Sequence, residues 1–147
     1  MPVEILDDGD LFAMGVQTIV NPVNCQGVMG KGLAKAFADR FPAHLAWYRQ
    51  QCDRGLLAPG RPQLDRGQDP WILAFPTKAA WRHPSRIEDI EAGLLSVTRR
   101  IPGSGVQSIA FPALGCGLGG LPWPQVRKLM ISYLSRLDLP VWVIAPR

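Results

Sequence analysis

The sequence predicts an α/β fold. Short apolar runs alternate along the chain with amphipathic helical patterns. Most of these runs are apolar throughout, as strands covered on both faces would be. Two of them lead straight into glycine-rich loops that open helices. The 147 residues suit one domain with a single core, covering 1–147, and leave no room for a second.

Strands are predicted over 3–6, 18–20, 71–75, 108–111 and 141–144. A first helix begins near Gly32, with Leu33, Ala34, Phe37, Ala38 and Phe41 on one stripe, and Pro42 ends it. A second runs over 43–53, with Leu45, Tyr48 and Cys52 on its inner side and Gly55 just past its end. From 55 to 70 the chain is polar and punctuated by Gly and Pro: a long loop with one short strand around Gln63 and Leu64. Ser85-Arg86-Ile87-Glu88 reads as a capping box, and Ile87, Ile90, Leu94, Val97 and Ile101 follow at helical spacing. The fourth helix carries Val126, Leu129, Met130, Tyr133, Leu134 and Leu137 on one face, with Pro124 in its first turn.

Composition excludes several classes. With 47% apolar and 19% charged residues the chain is globular rather than disordered. No apolar run approaches the ~18–20 residues of a membrane helix, and the N-terminal stretch lacks a signal peptide's basic and apolar regions. Cys25, Cys52 and Cys116 are odd in number and widely spaced, so reduced thiols in a cytoplasmic, monomeric protein are expected. Two histidines supply a metal site poorly, and no metal or cofactor is expected. The net charge of +4 permits an anionic partner without demonstrating one. Lys31, Lys35, Lys78 and Lys128 are the only lysines beside 12 arginines, and the only two asparagines share one tetrapeptide, Asn21-Pro22-Val23-Asn24.

The two glycine loops carry the chemistry. One runs from Asn24 through Gly27, Gly30 and Lys31 to Gly32; the other contains Gly115-Cys116-Gly117-Leu118-Gly119-Gly120. A strand, a glycine loop and a helix N-terminus together bind phosphate, because bare N–H groups approach the anion and the helix dipole favours it. Two such loops on neighbouring parallel strands suit a diphosphate. Gly115-x-Gly117-x-x-Gly120 matches a dinucleotide fingerprint formally, but too little chain follows it for a Rossmann sheet. Gly30-Lys31 lacks the Ser/Thr of a P-loop, since Gly32 stands there. In Gly9-Asp10-Leu11 the carboxylate is equally a turn residue or an acceptor for an adenine amino group.

Taken together, these segments resemble the macrodomain family. Within it, 24–34, 75–82 and 85–94 resemble the DarG-type DNA ADP-ribosyl glycohydrolases, over nearly the whole chain. The resemblance implies a three-layer α/β/α sandwich around a mixed, mostly parallel sheet. It also implies removal of ADP-ribose from a base, typically thymine, in single-stranded DNA. The cognate partner would be a DarT-type toxin, bound through a further C-terminal region. By position, Asp10 and Leu11 would meet adenine. Asn24, Gly30, Lys31 and Gly32, with Gly115, Cys116, Gly117, Leu118 and Gly119, would hold the diphosphate and distal ribose. Asn21 and Thr77 would lie near that ribose, and Lys78 would be the catalytic lysine. Gly119 stands where the protein-directed relative of this type has Asp.

Chemically, Lys78 has two roles open to it. As a neutral amine it can attack C1″; as an ammonium it can donate to the departing base. Arg82 and Arg86 nearby favour the first form, a bound diphosphate the second. Trp81, Arg82, His83 and Arg86 form a candidate surface for single-stranded DNA, an aromatic with flanking cations. Cys25 and Cys116 are read as small loop residues rather than nucleophiles. The alternatives are a non-catalytic ADP-ribose reader, or a hydrolase of glutamate-linked or O-acetyl-ADP-ribose.

Overall fold

The computed structural model describes residues 3–146. In chain order the elements are β1 (Val3–Leu6), a 3₁₀ turn (Leu11–Ala13), β2 (Thr18–Val23), α1 (Gly32–Arg40), α2 (Pro42–Asp53), β3 (Gln63–Asp65), β4 (Trp71–Pro76), α3 (Ile87–Arg100), β5 (Ile109–Phe111), α4 (Trp123–Leu134) and β6 (Val141–Ile144). The strands form one sheet in the order β1-β6-β5-β2-β4-β3. Five are parallel, and only β3 runs antiparallel to its neighbour β4.

Alternation along the strands sorts side chains between two faces. Val20, Leu73, Phe75, Ile109, Phe111, Val141 and Val143 meet Ile90, Leu94 and Val97 of α3 and Val126, Met130 and Leu134 of α4 in the larger core. On the other face Ile19, Ile72 and Ala110 pack with Phe37 of α1, and Val23 and Ala74 with Tyr48 of α2. The result is the three-layer sandwich, with a mixed sheet between two helix pairs.

The differences from the sequence reading are local. β2 continues through Asn21 and Pro22 to Val23. Proline is tolerated there because β2 pairs with β5 only at Thr18 and Ile19, so a missing N–H beyond that level costs no bond on that side. Pro42 both stops α1 and opens α2 as its first residue, with Phe41 serving as the cap of each. The capping box of α3 is corrected. Arg86 is the N-cap and makes no side-chain cap bond, while Ser85 is turned away under the second glycine loop. β5 begins at Ile109 rather than at residue 108. The 3₁₀ turn had no periodicity to announce it; its cap is Asp10, whose Oδ1 accepts from Phe12 N–H at 3.0 Å.

Chain path decides where a ligand can enter. From β2 the chain leaves toward β4; from β5 it leaves the other way, toward β6. The two connections therefore diverge between β5 and β2, the point at which open α/β sheets hold their ligands.

Helix and sheet approach closely under Gly93 of α3. A Cβ there would overlap the Phe75 ring, standing 2.8 and 2.9 Å from its two ε carbons. Gly93→Ala should lower stability by about 1–2 kcal/mol, the overpacking outweighing the helix propensity gained. Urea midpoints of the two proteins check this; an unchanged or higher midpoint would show that Phe75 gives way freely.

Candidate functional site

The carboxyl ends of the five parallel strands open into one cleft of about 1210 Å³. Its walls come from the turn after β1, the two glycine loops, the segment between β4 and α3, and the end of β6. Each wall is fixed from below.

The first glycine loop is pegged by Asn24. Its Oδ1 accepts from Gln26 N–H at 2.9 Å and from the Tyr48 hydroxyl at 2.9 Å, while its Nδ2 donates to the Val28 carbonyl at 2.8 Å. Burial pushes the Tyr48 phenol above its ordinary range, so it remains a proton donor to this loop. The loop ends at Gly32 with φ +61°, and Lys31, the N-cap of α1, makes no side-chain cap bond. The first N–H groups of α1 thus face the cleft without a capping side chain. In the second loop Gly115 has φ +73°, and its carbonyl accepts from Leu121 N–H at 2.9 Å. The N–H groups of Gly117, Leu118 and Gly119 have no partner among the described residues. Across the cleft the loops nearly touch: a Cβ on Gly32 would lie 3.3 Å from Leu118 Cδ1.

The segment 77–86 bridges the two loops. Thr77 N–H donates to the Val23 carbonyl at 2.9 Å, Cys25 N–H to Ala79 O at 3.0 Å, and the Cys25 thiol to Lys78 O at 3.7 Å. Trp81 N–H donates to Gln26 Oε1 at 3.1 Å, and Ser85 N–H to Gly119 O at 3.0 Å. Lys78 is thereby set between the loops. Its ammonium has no ion pair or hydrogen bond among the described residues. Ser85 also fills the space above which Gly119 sits. A Cβ on Gly119 would overlap the Ser85 hydroxyl and stand 2.6 Å from Gly115 O. The absence of a side chain at 119 is therefore steric as well as chemical.

Most of the expected site residues meet here. Asp10, Leu11, Asn24, Gly30, Lys31, Gly32, Thr77, Lys78, Trp81, Arg82, His83, Gly115, Gly117, Leu118 and Gly119 all line the cleft. Three do not. Asn21 points to the α2 face with Ile19 and Val23, as strand alternation requires, and is fully buried. Cys116 turns its thiol back to Leu114 O at 3.6 Å. Arg86 lies outside the cleft, where its Nε faces Glu88 at 3.7 Å. Asp10 caps the 3₁₀ turn, as a turn residue does, and also lines the cleft. Burial raises the Cys25 and Cys116 thiols to about 11, so neither is primed as a nucleophile. Among the described residues no group of three His, Cys, Asp or Glu could hold a metal ion, and no helix is long and apolar enough to cross a membrane.

Sequence reasoning missed the support beneath the first loop. His44 and Asp65 are buried together, with His44 Nδ1 and Asp65 Oδ2 2.8 Å apart. His44 Nε2 lies 3.1 Å from Asn21 Nδ2, which also approaches Met29 Sδ at 3.9 Å. With Nδ1–H donated to the carboxylate, a neutral His44 accepts from Asn21 through Nε2. Burial lowers the His44 pKa, with the Asp65 hydrogen bond and charge opposing it. A histidine one turn from Tyr48 on the same helix was the available signal. Ser85 was visible too, but in the wrong role.

Residues 20–130 match the Macro domain family. A DNA ADP-ribosyl glycohydrolase of Thermus aquaticus is 46% identical over 143 residues, 94% of this chain and 40% of that protein. A DNA ADP-ribosyl transferase–DNA ADP-ribosyl glycohydrolase fusion protein of Thermosipho africanus is 38% identical over 96% of this chain and 41% of its own length. The chain thus spans about two fifths of the curated relatives it matches. Among solved structures, the macrodomain of Thermus aquaticus DarG superimposes with a TM-score of 0.92 at 44% identity, covering 98% of both chains. Thermosipho africanus DarTG in complex with ADP-ribose does so at 0.93 and 38%, covering 97% of this chain and 42% of that one.

The buried histidine gives a pH test. Its folded pKa is depressed below the ordinary 6.5, so its contribution to stability is present above that value and is lost as pH falls through the folded pKa. The urea midpoint of the wild type should therefore drop between about pH 7.5 and about pH 5 by more than that of His44→Gln, which can pair with both neighbours without titrating. Parallel curves for the two proteins would show that His44 carries no such linkage.

Proposed function

The chain belongs to the macrodomain family, and from that membership we propose that it is a DNA ADP-ribosyl glycohydrolase. In this reading it releases ADP-ribose from a nucleobase, thymine foremost, in single-stranded DNA. The observation that carries the reading is the setting of Lys78: a cation without a partner among the described residues, held between two open-handed glycine loops. The relatives that share this domain and bear the name of that activity support it, as does a similar structure described in complex with ADP-ribose.

The ligand's place follows from the walls. Adenine would sit by Asp10 and Leu11, with the free Asp10 oxygen accepting from its amino group. The diphosphate would take the unpaired N–H groups of the second loop and the N-terminus of α1. The distal ribose would then reach Thr77 and Lys78, beyond Asn24 and Gly119.

Cleavage of the C1″–N bond has oxocarbenium character. In the proposed step the bond breaks with its electron pair moving to the base nitrogen, which takes a proton from the Lys78 ammonium. Water adds to C1″ and its proton returns to the lysine, so one water is consumed and no other reactant is needed. The surroundings favour this acid role over a lysine adduct. No side chain fits at 119 to resolve an adduct, and Asp10, the one carboxylate side chain in the cleft walls among the described residues, belongs to the β1 end. The setting proposed is the bacterial cytoplasm, with a DarT-type toxin as the source of the modified DNA and the toxin contacted through a region outside this chain.

The test uses a single-stranded oligonucleotide bearing ADP-ribosyl-thymine, with a chelator present. The wild type should release ADP-ribose, and Lys78→Ala should slow release by about a hundredfold or more while ADP-ribose affinity by calorimetry stays within a few-fold. Borohydride trapping of a Lys78 adduct would overturn the acid role. No release by the wild type, with ADP-ribose binding intact, would leave a reader or a hydrolase of glutamate-linked or O-acetyl-ADP-ribose.

A further inference from the structure

Four large hydrophobic side chains are exposed among the described residues, and three of them, Val28, Trp81 and Leu118, line this one cleft. They come from three different loops. Trp81 is the largest, 44% exposed, with its backbone anchored to Gln26. The Arg82 guanidinium lies 5.1 Å from its ring centroid and covers one face of the indole. No aromatic ring of the described protein takes the other face.

Sheet order gives the cleft a direction. Asp10 follows β1 at one edge, whereas Lys78 and Trp81 follow β4, four strand positions away, a span of about 19 Å at the usual ~4.8 Å between strands. An ADP-ribose with its adenine at the β1 end presents C1″ at the β4 end. Whatever is bonded to C1″ therefore emerges beside Trp81. The cations of the cleft walls gather away from Asp10, with Lys78 and Arg82 at the β4 end and Lys31 at the head of α1, so an anionic strand is the occupant that complements this mouth.

We propose that Trp81 is the platform for the leaving nucleobase. The base attached to C1″ stacks on the indole face that Arg82 leaves open, and its edge is turned to Lys78. The phosphate of the same nucleotide pairs with Arg82. This assignment rests on the glycohydrolase reading and adds what that reading lacks, a reason for a planar leaving group. Trp81 binds the aglycone and has no part in holding ADP-ribose itself.

The experiment compares two substrates, an oligonucleotide bearing ADP-ribosyl-thymine and the single nucleotide ADP-ribosyl-thymidine monophosphate. Trp81→Ala should lower kcat/KM about tenfold on both, as the loss of one base-stacking contact does. Trp81→Phe should recover most of it, and calorimetric affinity for free ADP-ribose should be the same in all three proteins. A loss seen only with the oligonucleotide would overturn the assignment, because Trp81 would then stack a neighbouring base. Unchanged kinetics in Trp81→Ala, or a parallel loss of ADP-ribose affinity, would overturn it as well. Inactivity of the wild type on both substrates would instead sink the glycohydrolase reading and this assignment with it.

Discussion

The whole arrangement hangs on β2. It is hydrogen-bonded in parallel on both sides, Thr18 lying level with Trp71 of β4 and with Ile109 of β5. Past Ile19 it keeps only the β4 ladder, which runs on to Val23 opposite Pro76. That register delivers the ends of three strands to one side of the sheet, so that two glycine loops and the lysine segment arrive together. A slip of one residue would turn Val20 and Ile19 to the wrong layers, and with them the loop that follows. The apolar packing of the two helix pairs is thus what keeps the loops in register with each other.

Polar groups under the cleft are arranged at some cost. Among the described residues Asn21 Oδ1 and Ser85 Oγ are buried without a protein partner, a condition that costs on the order of 1–3 kcal/mol for each group. Both stand beside a glycine loop: Asn21 is close to Met29 of the first, Ser85 under Gly119 of the second. Two of the three such atoms among the described residues thus sit where the loops are seated; the third, Gln68 Oε1, lies in the connection between β3 and β4. The Asp65–His44–Asn21 chain reinforces the same seat, tying β3, α2 and β2 behind the loop that Asn24 and Tyr48 shape.

Much of this was legible in the sequence because the signals were local. Continuous apolar runs and helical stripes located the five parallel strands and every long helix, and glycine after a strand end located both loops; β3 reads only as a short strand within a polar loop. The misreadings came from tertiary pairing. The predicted strand stops at residue 20, before Asn21 and Pro22, yet Pro22 is harmless where β5 has already left the ladder. Ser85 had the spacing of a cap, but the space beneath Gly119 claimed its side chain. His44 and Asp65 are 21 residues apart and carry no motif; only the antiparallel strand β3 brings them together. The resemblance supplied what periodicity could not, a ligand to fit the two loops.

The contact between Ser85 and Gly119 also constrains how such a site can change over generations. A lineage that placed any side chain at 119 would meet Ser85 and the Gly115 carbonyl at once. The substitution would be harmful alone, however useful its chemistry. Position 85 would have to be vacated first, and the turn at Gly115 re-set, before a new group at 119 could be tested by selection. These contacts couple the two positions through the volume they share. A change of leaving-group preference by that route would therefore come in a concerted step or through a neutral intermediate at residue 85, not by a single exchange at the loop.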